Sequence, residues 1–149
     1  MKSEELLARI EAYHGGLNDY YNRIKAKTED KRAKMLLEYL GDREGRFAKG
    51  VKRFRKTALE NTEETWQQYV PATEKLEVPD PKTSEENRSF DDMANEARDL
   101  DERLKRFLQV MANKAGAPGK LRGIFEGLLE QQQREERKLN QSIIDIAKI

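Results

Sequence analysis

The sequence predicts an all-α fold, a four-helix bundle with a long crossover between its second and third helices. Three observations predict it. Apolar residues recur at three- and four-residue spacing in four separate stretches, which gives each stretch one buried helix face. The breaks between stretches run short, long, short. The 149 residues are 36% hydrophobic and 38% charged, with a net charge of +1. Narrow apolar stripes set in wide charged faces have that balance, whereas a disordered chain lacks the periodicity.

The first helix starts at Ser3, a good N-cap, with Glu4 and Glu5 suiting the positive end of the helix dipole. Its stripe is Leu6, Leu7, Ile10, Tyr13, Leu17, Tyr20, Tyr21 and Ile24. Gly15 and Gly16 interrupt it and point to close packing or a kink. Thr28, Glu29 and Asp30 read as the next N-terminus. The second stripe is Ala33, Leu36, Leu37, Leu40, Glu44, Phe47, Val51, Phe54 and Ala58.

Asn61 to Glu64 open a short segment carrying Trp66 and Tyr69, read as a cap on the end of the bundle. Pro71, Pro79 and Pro81 then break the pattern, so about 70–88 reads as a connection. A connection this long has a reason if the second and third helices are parallel, because it must run the length of the bundle.

Ser89 with Asp92 resembles a capping box at the start of the third helix. That stripe is Met93, Ala97, Leu100, Leu104, Phe107, Leu108 and Met111. Gly116, Ala117, Pro118 and Gly119 form a tight turn with Pro118 at the first helical position. The fourth stripe is Leu121, Phe125, Leu128, Gln132, Glu135, Leu139, Ile143 and Ile146. Residues 1–149 are expected to form a single domain. Met35, Met93 and Met111 are core filler rather than haem ligands.

Composition removes several classes of function. Without cysteine there are no disulfides, thiolate metal sites, iron–sulfur clusters or cysteine nucleophiles. No apolar run approaches the ~18 residues of a membrane span, and the N-terminus has no signal-peptide core, so a cytoplasmic protein that binds no membrane is expected. The near-zero net charge argues against nucleic acid as a partner. Arg46, Lys49, Arg53 and Lys56, with Lys52 and Arg55 nearby, read as a solvated face of the second helix.

The informative feature is polar residues on apolar stripes. Glu44 lies between Leu40 and Phe47, and Gln132 and Glu135 lie between Leu128 and Leu139. Facing a core, such groups need partners. His14, between Ile10 and Leu17, and Asp101, beside Leu100, supply them from the other two helices. One imidazole, carboxylates and an amide at mid-height make an oxygen-rich set suited to Fe(II), Mn(II) or Zn(II). The competing reading is a buried hydrogen-bond network, or a rotation that brings Glu44, Gln132 and Glu135 to the surface beside Arg43, Arg46 and Arg134. His14, the only histidine, precedes Gly15-Gly16-Leu17, whereas phosphotransfer bundles set theirs before Lys-Gly.

On these residues the chain resembles the ferritin-like superfamily, rubrerythrin-type members especially. In that family each helix pair gives one Glu from its first helix and a Glu-x-x-His from its second, holding two metal ions. The stretch from Leu36 to Phe47 is similar to the second-helix segment, with Glu44 kept and Phe47 in place of the His. The stretch from Leu128 to Glu135 is similar to the fourth-helix segment, with Gln132 for the Glu and Glu135 for the His. His14 and Asp101 take the lone-Glu positions. The resemblance thus implies a bundle whose di-metal chemistry is lost: a non-catalytic interaction or structural module, self-associating or bound to a protein partner, with no cofactor. The alternative it leaves is an iron- or manganese-binding protein or weak oxidase, with His14, Glu44, Asp101, Gln132 and Glu135 as candidate metal ligands.

Overall fold

The computed structural model describes residues 3–58, 76–80, 88–113 and 119–149, without the side chains of residues 3, 57, 58 and 119–121. Four helices make an all-α four-helix bundle: α1 (Ser3–Lys27), α2 (Lys31–Ala58), α3 (Phe90–Asn113) and α4 (Gly119–Ala147). Trp66, Tyr69, Pro71, Pro81, Pro118 and most of the expected 70–88 connection lie outside the described residues, as does the side chain of Leu121.

The helices begin where local chemistry starts them. Asp30, not Thr28, caps α2: its Oδ1 accepts from the Arg32 and Ala33 amides at 2.9 and 3.4 Å. Thr28 turns back instead, its buried hydroxyl donating to the Ile24 carbonyl at 2.7 Å and so closing α1. Thr28, Glu29 and Asp30 do lead into α2, and the cap falls to Asp30 because a threonine hydroxyl serves the last turn of one helix as readily as the first turn of the next. Ser89 does cap α3, its Oγ accepting from the Asp92 amide at 3.1 Å.

All of the first stripe is buried, from Leu6 through Ile24, and so is the third, from Met93 through Met111. Side chains from all four helices meet in one hydrophobic cluster. Burying each large aliphatic or aromatic group there contributes about 1.5–3 kcal/mol. Phe54 departs from its stripe at 41% exposure.

α1 and α2 pack closely because glycines face asparagines. A Cβ at Gly41 would lie 3.1 Å from Asn22 Oδ1, and Asn18 Nδ2 donates to the Gly41 carbonyl at 2.7 Å. Gly16 serves another approach. α1 runs through it without a break, and a Cβ there would meet Val78 Cγ2 at 2.8 Å, so residues 76–80 lie against the middle of α1.

The starts of α2 and α3 share one open pocket with the end of α4, lined by Asp30, Lys31, Arg32, Ser89, Phe90, Asp91 and Ile149. Arg32 Nη2 donates to the Ile149 carbonyl there at 2.7 Å. Hence α2 and α3 run the same way, and α4 runs against both.

Candidate functional site

Five polar side chains close the middle of the bundle: His14 of α1, Arg43 and Glu44 of α2, Asp101 of α3 and Gln132 of α4. None is more than 3% exposed. Neighbouring helical residues project about 100° apart, which lets α2 serve two partners at one level. Glu44 turns to α1, where its Oε2 lies 2.6 Å from His14 Nδ1. Arg43 turns to α3 and grips Asp101 with both terminal nitrogens, Nη2 to Oδ1 at 2.6 Å and Nη1 to Oδ2 at 3.0 Å. Nη2 also donates to Glu44 Oε1 at 3.3 Å. One guanidinium thus holds the carboxylates of two helices.

Phe47 forms the floor. Its ring stacks on His14 with centroids 4.9 Å apart, and the guanidinium carbon of Arg43 lies 5.7 Å from its centre. Beside this floor is a cavity of about 10 Å³ lined by Ile10, His14, Phe47, Val51, Leu104, Leu108, Leu128, Gln131 and Gln132. It has room for about one water and for no substrate.

Burial and charge compete at each ionisable group. Burial alone pushes the Glu44 carboxyl up, but the charge and hydrogen bond of His14, then those of Arg43, hold it below its ordinary value. At Asp101 burial wins: the carboxyl is pushed up although Arg43 pulls it down. Burial works against the Arg43 cation, and Asp101 and Glu44 more than offset it, fixing the guanidinium as charged. Burial and then the Glu44 charge push the Tyr13 and Tyr21 hydroxyls up.

Four of the five residues singled out from the sequence therefore come together: His14, Glu44, Asp101 and Gln132. Gln132 lies close enough to Asp101 for its amide to lower the carboxyl, yet its Nε2 reaches no acceptor within hydrogen-bonding geometry. Glu135 stands apart. Its Oε1 pairs with Lys138 at 3.4 Å, and no hydrogen bond or ion pair joins it to the other four. Arg43 is the functional residue that the stripe interruptions do not flag. It carries its own signal, because Leu36, Leu40, Arg43 and Phe47 are spaced four, three, four, the spacing of a core seam. Arg43, Glu44 and Gln132 are all buried, so α2 and α4 are not rotated outward as a surface reading of this site would require.

These residues do not fit an iron or manganese ion. His14 and Glu44 are turned on each other, both oxygens of Asp101 are on Arg43, and a fixed cation already sits among the carboxylates. Among the described residues no group of three or more His, Asp or Glu side chains is placed to hold a metal. On the outer face of α2, Arg46, Lys49, Lys52, Arg53 and Lys56 are exposed, while Arg55 turns inward to pair with Glu11 and Glu4 of α1.

Fold and site together define an all-α four-helix bundle with a closed ionic centre, and no described helix is long and apolar enough to cross a membrane. Comparisons with family models, with characterised proteins and with solved structures each found no match.

Proposed function

We propose that this chain is a non-catalytic, ferritin-like bundle that acts in the cytoplasm as a structural or interaction module, through self-association or a protein partner. One observation carries the reading: the Arg43 guanidinium lies between Asp101 and Glu44, at the level where a ferritin-like bundle carries metal. A buried cation in that place removes both the charge and the coordination sites that an oxidase needs. The parallel run of α2 and α3 supports the ferritin-like connectivity, with a crossover over about 70–88. The burial of the whole cluster, beside a cavity the size of one water, supports the absence of catalysis.

The test is elemental analysis of the purified chain before and after incubation with Fe(II), Mn(II) and Zn(II), with light scattering for the oligomeric state. The reading expects no bound metal and a dimer or larger species. Near-stoichiometric metal that Glu44→Ala abolishes would replace it with the metal-binding alternative.

A further inference from the structure

The centre of the bundle has more specificity than a hole that any cation would fill. Asp101 presents two oxygens side by side to two nitrogens of one planar group, at 2.6 and 3.0 Å. This fork-to-fork geometry suits a guanidinium and not the point charge of an ammonium. Glu44 Oε1 lies 3.3 Å from Nη2, so a second helix reads the same group. Phe47 places an aromatic face 5.7 Å from the guanidinium carbon, within reach of a cation–π contact that favours flat cations. A divalent ion would meet this ring where it needs a donor. The pocket is water-poor, since Arg43 and Asp101 are 1% and 3% exposed, so geometry rather than bulk solvation decides what it accepts.

We infer that Asp101, Glu44 and Phe47 form a guanidinium-binding site, which Arg43 fills from within the same chain. The inference rests on the non-metal reading of the centre and adds its ligand class. Shortening Arg43 to alanine leaves the two carboxylates and the ring with a gap the size of a guanidinium and two methylenes. A free methylguanidinium ion restores the guanidinium and one of those carbons, whereas methylammonium, Mn(II) and Zn(II) restore no planar cation.

The experiment measures thermal unfolding of full-length Arg43→Ala against millimolar methylguanidinium, with methylammonium, Mn(II) and Zn(II) in parallel and the wild type as control. Methylguanidinium is expected to raise the variant's Tm by about 3–5 °C for each tenfold increase above Kd, and to leave the wild type unchanged. Equal rescue by methylammonium, rescue by a divalent ion, or a folded variant that no cation rescues would each overturn the site. Arg43→Lys covers the case in which the alanine variant does not fold. It keeps a cation in place, and a Tm clearly below wild type is expected; a Tm equal to wild type would overturn the guanidinium preference. Metal loading of the wild type, by contrast, would sink the functional reading itself, and elemental analysis rather than Tm detects it.

Discussion

Arg43 and Asp101 face each other from different helical hairpins, and their two hydrogen bonds of 2.6 and 3.0 Å tie α2 to α3 inside the core. Such a bond, made away from water, contributes little net stability when complete, because two ions had to be desolvated to form it. Its loss on one side is another matter. What remains is a charge that burial penalises and that nothing answers.

Asp101→Ala is therefore expected to destabilise the bundle by about 3–5 kcal/mol, because Arg43 keeps its charge and retains only the longer contact to Glu44. The double variant Arg43→Met with Asp101→Leu is expected to recover most of that loss. Urea unfolding of wild type, single and double variants measures both. A double variant as unstable as the single would show that the pair contributes stability beyond its charges.

The two carboxylates respond to acid in opposite senses. Glu44 is held below its ordinary value of 4.5, so its contribution is present above that pH and is lost as pH falls through the lowered folded value. Asp101 is pushed above its ordinary value of 3.8, so its contribution is present below that pH and is lost as pH rises through the raised value. On acidification from neutral pH, Glu44→Gln should lose stability less steeply than wild type, and Asp101→Asn more steeply. Urea midpoints taken from pH 7 down to 3 read both slopes, and parallel slopes for all three proteins would contradict the assignment.

The bundle itself is legible in the sequence because burial acts through periodicity. Every residue from Leu6 to Ile24 placed on the first stripe is buried, and Glu44 and Gln132 are buried where the stripes put them. What periodicity does not carry is the direction of a long polar side chain. Arg43 satisfies the seam spacing as well as Glu44 does, yet an arginine reads as surface until a carboxylate is found to receive it. That carboxylate, Asp101, is 58 positions away on another hairpin. Glu135 divides between the two settings: its Oε1 lies 3.4 Å from Lys138, one turn on, while its Oε2 is buried and meets no hydrogen-bond partner. Thr28 shows the same limit at a helix end, where the residue type permits two roles and only the fold chooses.

That choice is testable at Asp30. As the residue whose Oδ1 takes the first free amides of α2, Asp30→Ala should cost about 1 kcal/mol. Lys34→Ala, one turn into α2 on its exposed face, should fall within about 0.5 kcal/mol of wild type. Equal costs at the two positions would show that the capping contact contributes nothing particular to α2.

Gly15 and Gly16 look equivalent in the sequence, and the structure separates them. Each sits inside continuous helix, where alanine in place of glycine gains about 0.8–1.0 kcal/mol in backbone propensity. At Gly15 a new Cβ meets nothing within 4 Å, so Gly15→Ala should deliver that gain nearly in full. At Gly16 the same atom would stand 2.8 Å from Val78 Cγ2, and either the valine or its segment must move. Gly16→Ala should therefore fall short of Gly15→Ala, by an amount that shrinks when Val78 is also cut to alanine. A chemical denaturation cycle over Gly16→Ala and Val78→Ala measures that coupling. A coupling near zero would mean that residues 76–80 do not hold their place against α1 in solution, and that the glycine is there for some reason other than their approach.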